Sequence, residues 1–182
     1  PMSVTNARLR QAIHEAGLPE PAAGNVHLCG IRIGPQGSNK YDDLILAFGN
    51  VSDSFPCTVD PGATWSKHPG NPNGAAHLTW GRWRYKPGLH KGKPALVQAA
   101  PVTVRRDQDR DGVAEAGEPL ASGWFGINIH AGGDAPDVDA WSAGCQVIPR
   151  RWWDDFWSLI EASGQTEFWY YLLPDSATEG IV

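Results

Sequence analysis

Apolar residues along this chain occur in short runs or alternate with polar residues, and glycine- and proline-rich turns separate them. Both patterns are typical of β-strands, and they predict about seven strands. Residues 44–51 and 55–59 are expected to form a hairpin that turns at residues 52–53, whereas residues 60–74 indicate a long irregular loop. The segments expected to be strands are residues 26–33, 44–51, 55–59, 78–85, 95–105, 127–129, the apolar run after Cys145, and residues 168–173.

Two segments instead carry apolar residues at the spacing of an amphipathic helix. Thr5 can cap the first, residues 6–16, and Gly17 follows it; Gly164 follows the second, residues 149–162. We therefore expect a mostly β, single-domain protein whose sheet forms a barrel or sandwich, with residues 1–24 as N-terminal helix and linker and residues 25–182 as β-rich core. The predicted apolar faces are Leu9, Ala12, Ile13 and Ala16 in the first helix, and Trp152, Phe156, Leu159 and Ile160 in the second.

Composition narrows the class of protein. The chain has 182 residues, of which 41% are hydrophobic, and this suffices for one sizeable core. No apolar run reaches the ~18 residues of a membrane-spanning helix. The first residues do not have the pattern of a secretory leader, and removal of a leader is left as an alternative. A net charge of −5 without a basic cluster argues against a nucleic-acid partner. The nine tryptophans fit a bulky core better than a binding groove.

The three cysteines allow two interpretations. A disulfide between Cys29 and Cys57 would leave Cys145 as a free thiol, the pattern expected in an oxidising compartment. Alternatively, all three are reduced, and Cys29 and Cys57 are simply buried.

Residues 126–149 carry the most specific chemistry. An apolar run delivers His130 to a glycine-rich turn, and fifteen positions later Cys145 precedes a second apolar run, so a strand, a loop and a strand would bring the two together. A thiol needs a nearby base to attack as a thiolate, and His130 is the candidate. The small residues Ser142 to Gly144 predict a tight turn that leaves the N–H groups of Gly144 and Cys145 free to hold an oxyanion. The alternative is a buried cysteine beside a satisfied histidine.

This stretch resembles the catalytic signature of the L,D-transpeptidase catalytic domain, the YkuD family, in which a histidine-glycine strand end precedes a Ser/Thr-His-Gly-Cys turn. The resemblance implies a mostly β enzyme that attacks peptidoglycan stem peptides through a cysteine acyl-enzyme. It implies Cys145 as nucleophile and His130 as base. The carbonyl of Ala131 or a neighbour would orient that base, and Ser142 and Gly144 would shape the turn.

The sequence also departs from the family's pattern. Ala143 replaces the usual histidine before Gly-Cys, Val147 stands where Arg or Asn is usual, and the spacing from His130 to Ser142 is short. The Ser-x-Gly-Cys-Gln stretch resembles versions in phage-borne cell-wall enzymes more than those in housekeeping cross-linkers. Transfer, hydrolysis by a peptidase or phage endolysin, and a non-catalytic, calcium-stabilised wall-binding module all stay open. Each implies action at the cell wall, outside the cytoplasm.

Residues 107–118 fit a twelve-residue calcium loop at every ligand position. Hard oxygen ligands at alternating positions suit Ca²⁺, but the flanks read as strand and proline rather than as two helices. We therefore expect a structural calcium loop grafted between strands; the alternative is a solvated acidic turn. The expected ligands are Asp107, Asp109, Asp111, the carbonyl of Val113, Glu115 and Glu118.

Two upstream histidines, His77 and His90, receive no catalytic role. Histidines of this kind are more often surface or core residues than groove residues. Zinc is not expected, because the chain has neither Cys-x-x-Cys nor His-Glu-x-x-His spacing.

Overall fold

The computed structural model describes residues 5–178 and Ile181, and in them the chain is mostly β. Three α-helices are present there: α1 (Asn6–Glu15), α2 (Ala63–Lys67) and α3 (Arg150–Ala162). The strands are β1 (Val26–Ile31), β2 (Asp43–Gly49), β3 (Asp53–Cys57), β4 (Ala75–Leu78), β5 (Gly81–His90), β6 (Lys93–Gln98), β7 (Val102–Asp107), β8 (Leu120–Gly123), β9 (Ile129–Ala131), β10 (Gln146–Ile148) and β11 (Phe168–Leu172).

Eight strands form a nearly closed sheet in the order β10-β9-β6-β5-β11-β1-β2-β3. Its two edges meet where Thr58, just beyond β3, bridges Val147 of β10. The Thr58 N–H donates to the Val147 carbonyl at 2.9 Å, and the Val147 N–H donates back at 3.1 Å. Strands β4, β7 and β8 form a separate three-stranded sheet. The expected barrel-like arrangement is confirmed at this coarse level.

Strand β1 is buried on both faces, which explains why His27 is its only polar side chain. Val26 and Leu28 join the main core inside the curved sheet. Cys29 and Ile31 face a second cluster beneath α1, whose buried residues are Leu9, Ala12 and Ile13.

The thiols of Cys29 and Cys57 are free and lie in these two different clusters. A disulfide between them, one of the two interpretations of the sequence, is therefore not formed. Burial raises the pKa of both thiols.

The first helix begins as expected. The Thr5 hydroxyl accepts from the Arg8 N–H at 3.2 Å, and Gly17 beyond the helix has a φ of 69°. In α3 one residue of the predicted apolar face, Trp152, is wrong. Trp153 is buried with Phe156 and Ile160, whereas Trp152 is 39% exposed, because Trp153 rather than Trp152 packs onto Phe156.

Two segments that were each predicted to be one strand contain two strands, which belong to different sheets. Residues 78–85 contain the end of β4 and the start of β5, and residues 95–105 contain most of β6 and part of β7. Between them, residues 86–94 form a tight hairpin in which Lys91 and Gly92 have φ angles of 50° and 78°. Positive φ at both central residues matches the twist of the flanking strands, so pairing continues to His90 and Lys93.

Two loop predictions also need correction. The β2–β3 hairpin turns before Asp53, which pairs with Ala47 and belongs to β3. Residues 60–74 are not wholly irregular, since they contain the short helix α2. In the part of the chain described here, no helix has the length and apolar character needed to cross a membrane.

Candidate active site

Cys145 immediately precedes β10, which runs parallel to β9 with Val147 opposite His130. The ladder is regular one residue later, where the Gln146 N–H donates to the Asn128 carbonyl at 2.9 Å. At Cys145 the side chain makes the contacts to this strand. Its sulfur accepts a hydrogen bond from the Asn128 N–H at 3.4 Å, and its thiol donates to the Gly126 carbonyl at 3.3 Å. The thiol is therefore held beside Asn128, two residues before His130 on the neighbouring strand.

The imidazole of His130 is oriented by the main chain. Its Nδ1 lies 2.9 Å from the carbonyl oxygen of Ala131, and because a carbonyl only accepts, Nδ1 carries the proton. Its Nε2 is buried and has no hydrogen-bond partner among the described residues. Burial lowers the pKa of His130 to about 4, so at neutral pH the ring is uncharged and Nε2 offers a free lone pair.

The same burial acts on the thiol. It raises the pKa of Cys145 to about 11, against the opposing effects of the Asn128 N–H and the charge of Lys91. The resting pair is therefore a thiol and a neutral imidazole rather than a thiolate and an imidazolium. From strand geometry the two Cα atoms lie about 8 Å apart. In the described part of the chain no hydrogen bond joins the two side chains.

The turn that carries Cys145 is fixed by Ser142, which is fully buried. The Ser142 hydroxyl donates to the Cys145 carbonyl at 2.7 Å and accepts from the Gly144 N–H at 3.2 Å. Gly144 has a φ of 128°, and a Cβ there would come within 2.4 Å of the Ala76 carbonyl oxygen. The tight turn thus requires glycine at this position.

The prediction that the N–H groups of Gly144 and Cys145 are both free to hold an oxyanion is wrong for Gly144. The Gly144 N–H is not free, because the Ser142 hydroxyl accepts its hydrogen bond. The Cys145 N–H has no acceptor among the described residues. One of the two predicted donors is therefore available in this conformation.

His90, given no role from the sequence, lies against the candidate base. Its ring stacks on that of His130, with centroids 4.3 Å apart. Asn128 holds it in place: the amide nitrogen donates to His90 Nδ1 at 3.0 Å, and the amide oxygen accepts from the Gln98 N–H at 3.3 Å. The signal that could have located His90 was the glycine two positions after it, because glycine is favoured where a hairpin turn needs positive φ.

Two cavities lie near the candidate pair, and Cys145 lines neither of them. The first, of about 510 Å³, is lined by the His90–His130 pair and by a cationic, aromatic rim. The second, of about 250 Å³, reaches the turn of the thiol at Ala143. The rim of the first cavity includes Lys91, Lys93, Arg150 and Trp141.

The acidic loop between β7 and β8 folds compactly on itself. Asp107 accepts from the N–H groups of Arg110 and Gly112, and Glu118 accepts from those of Gln108 and Glu115. Two groups of carboxylates each bring one oxygen per residue within 4.8 Å of one another. These groups are Asp107, Asp109 and Glu118, and Asp109, Asp111 and Glu115; Val113 donates its N–H to Asp111.

A second polar cluster holds His77. Arg32 donates to both carboxylate oxygens of buried Asp60 at 2.9 and 2.8 Å, and His77 Nδ1 lies 3.2 Å from the same carboxylate. Although burial opposes it, these hydrogen bonds and charges hold the pKa of Asp60 at about 2. His77 thus belongs to a buried ion-pair cluster apart from the contacts of Cys145.

Comparison of the chain with protein-family models, with curated proteins and with solved structures yields no match. The function must therefore be argued from the geometry and chemistry of the site itself.

Proposed function

We propose that this protein is a cysteine acyl-transfer enzyme of the L,D-transpeptidase type, acting on peptidoglycan stem peptides. The observation that supports this most is the state of His130: Nδ1 is committed to the Ala131 carbonyl, and the unprotonated Nε2 is left without a partner. A base in this tautomer, one strand away from a thiol, is what nucleophilic cysteine chemistry requires.

In the proposed reaction the thiol of Cys145 leaves its hydrogen bond to the Gly126 carbonyl and gives its proton to His130 Nε2. The sulfur forms a bond to the carbonyl carbon of a stem-peptide amide. The Cys145 N–H stabilises the resulting oxyanion. His130 then returns the proton to the departing amine as the C–N bond breaks, which leaves a thioester on Cys145.

The thioester is resolved by an acceptor amine, in a transferase, or by water, in a peptidase or endolysin. Support for a peptidoglycan substrate comes from the sequence resemblance of residues 126–149, and the proposed place of action is the cell wall. The cationic rim formed by Lys91, Lys93 and Arg150 suits a substrate that carries carboxylates.

The test is incubation of the purified protein with defined disaccharide-tetrapeptide muropeptides, followed by mass spectrometry of the products. Cross-linked dimers indicate transfer, and shortened stems alone indicate hydrolysis. Unchanged muropeptides, with binding to whole peptidoglycan that survives Cys145→Ala, would favour the non-catalytic wall-binding module instead.

We also propose that residues 107–118 bind Ca²⁺ as a structural ion. Support comes from the ligand spacing in the sequence, which fits a calcium loop at every position. Asp107 ends β7 and Glu118 lies two residues before β8, so an ion between them would tie the ends of this hairpin together. Isothermal titration calorimetry with CaCl₂ tests this, and absence of heat above the buffer blank would refute it.

A further inference from the structure

Arg106 is a buried cation without an anionic partner. Its residue exposure is 8%, yet none of the ion pairs among the described residues includes it. Its guanidinium makes one long hydrogen bond, 3.4 Å to the Gly74 carbonyl, and lies 5.0 Å from the ring centroid of Phe125. The adjacent Asp107 forms no ion pair with it; the two oxygens of that carboxylate accept N–H groups of the loop. Most of the five N–H donors of Arg106 are therefore uncommitted.

These donors are reached from the second cavity. Arg106 lines it, and none of its nitrogens is both sealed from solvent and without a partner. Burial lowers the pKa of Arg106, the effect expected of a cation held away from water without a counter-charge. A buried charge of this kind is costly unless an anion completes the site.

The cavity also reaches the turn that carries the nucleophile. Ala143, two residues before Cys145, forms part of its wall, and so does Ile127, next to the Gly126 carbonyl that holds the thiol. Trp65 and Phe125 provide aromatic walls. A group bound at Arg106 therefore lies near this turn, although Cys145 itself does not line the cavity.

We propose that the Arg106 cavity binds a carboxylate of the acyl substrate, a few bonds from the carbonyl that Cys145 attacks. This proposal rests on the proposed function. The guanidinium fork matches a planar carboxylate in a bidentate arrangement. The substrate class is accordingly an acidic peptide.

The test uses maleimides that carry a carboxylate on a spacer of one to five methylenes, each matched with its methyl ester. The rate of Cys145 modification is followed by mass spectrometry, and each acid-to-ester ratio is normalised to that of N-acetylcysteine. For at least one spacer we expect a normalised ratio of about 10 or more in the wild type, falling to about 1 in Arg106→Gln. The matched control is Arg105→Gln, which removes the same charge one residue away, where the side chain lines a different cavity; it should keep the wild-type ratio.

A second measurement needs neither a reactive thiol nor a variant that folds. Titration of ¹⁵N-labelled wild-type protein with sodium acetate, against sodium chloride at equal ionic strength, should shift the Ala143 amide signal saturably. Equal maleimide ratios in wild type and Arg106→Gln, or no acetate-specific shift at Ala143, would overturn the carboxylate site. Failure of the proposed function is distinct: acetate binds near Ala143, but muropeptides never acylate Cys145.

Discussion

The imidazole rings of His90 and His130 lie parallel, with 4.3 Å between their centroids and 7° between their planes. This stack covers the candidate base and keeps water from it. The charges of His90 and Lys91 add to the burial that lowers the pKa of His130. We therefore expect His90 to act as a positioning residue that helps to hold His130 neutral.

Replacing His90 with alanine should raise the pKa of His130 from about 4 toward its ordinary 6.5, because water then reaches the ring and a neighbouring titratable group is lost. The measurement is an NMR titration of the His130 Cε1–H signal. His14→Ala, on the exposed end of α1, is the control and should leave the His130 titration where it is in the wild type. A titration of His130 that is unchanged in His90→Ala would contradict this role.

The lowered pKa of His130 also predicts how stability depends on pH. Between pH 6.5 and about 4 the unfolded chain binds a proton at this histidine that the folded chain does not, so the free energy of unfolding falls as the pH falls. Asp43, whose pKa burial raises to about 7, acts in the opposite direction, so the comparison must be with a variant. From pH 7.5 to 4.5 the wild type should lose about 2 kcal/mol more than His130→Gln in urea denaturation. Equal losses would show that His130 titrates normally.

Gly144→Ala should destabilise the fold strongly. Its φ of 128° is strained for any other residue, and its new Cβ would meet the Ala76 carbonyl oxygen at 2.4 Å. We expect a loss of ~3 kcal/mol or more in urea denaturation. The matched control is Gly164→Ala, with a φ of 64° and no atom within 4 Å of the added Cβ, which should cost only ~1 kcal/mol. Similar costs at both sites would mean that the nucleophile's turn relaxes away from β4.

Calcium should raise the melting temperature of the wild type relative to chelator. Binding at a hundred times the dissociation constant corresponds to about 2.7 kcal/mol of stabilisation. The double variant Asp109→Asn, Glu118→Gln removes one carboxylate shared by both oxygen groups and the loop's last ligand, and should abolish the shift. Asp154→Asn, an exposed acid on α3, should retain it, and Mg²⁺ at the same concentration should not reproduce it. If Ca²⁺ does not change the melting temperature of the wild type, the loop is a solvated acidic turn rather than a calcium site.

Much of the fold follows from local sequence. The Thr5 cap, the glycine beyond α1 and the apolar face of that helix specify the element without tertiary information. The prediction of one strand in each of the two long segments, residues 78–85 and 95–105, is wrong. Each segment contains two strands, because the chain passes there from one sheet to the other. The pattern of apolar and polar residues indicates which positions are buried. Because both halves of each segment are partly buried, this pattern does not show where the chain changes sheet.

The site was predictable in its main pair and not in its surroundings. His130 and Cys145 stand out because their residue types and spacing have a chemical meaning. Arg106 and His90 depend on which strands pair, and a single arginine or histidine carries no such signal. The commitment of the Gly144 N–H to Ser142 was also hidden, since a serine hydroxyl in a tight turn can accept from several backbone groups.

The most direct test of the central claim is intact-protein mass spectrometry after exposure to disaccharide-tetrapeptide muropeptides or to a carbapenem acylator. The account predicts a mass increase of one acyl group on the peptide that contains Cys145, formed ~10²-fold or more slowly in His130→Ala. No adduct should form in Cys145→Ala, whose melting temperature should stay near that of the wild type. A folded wild-type protein that forms no adduct at Cys145, or forms it equally fast without His130, would contradict the account.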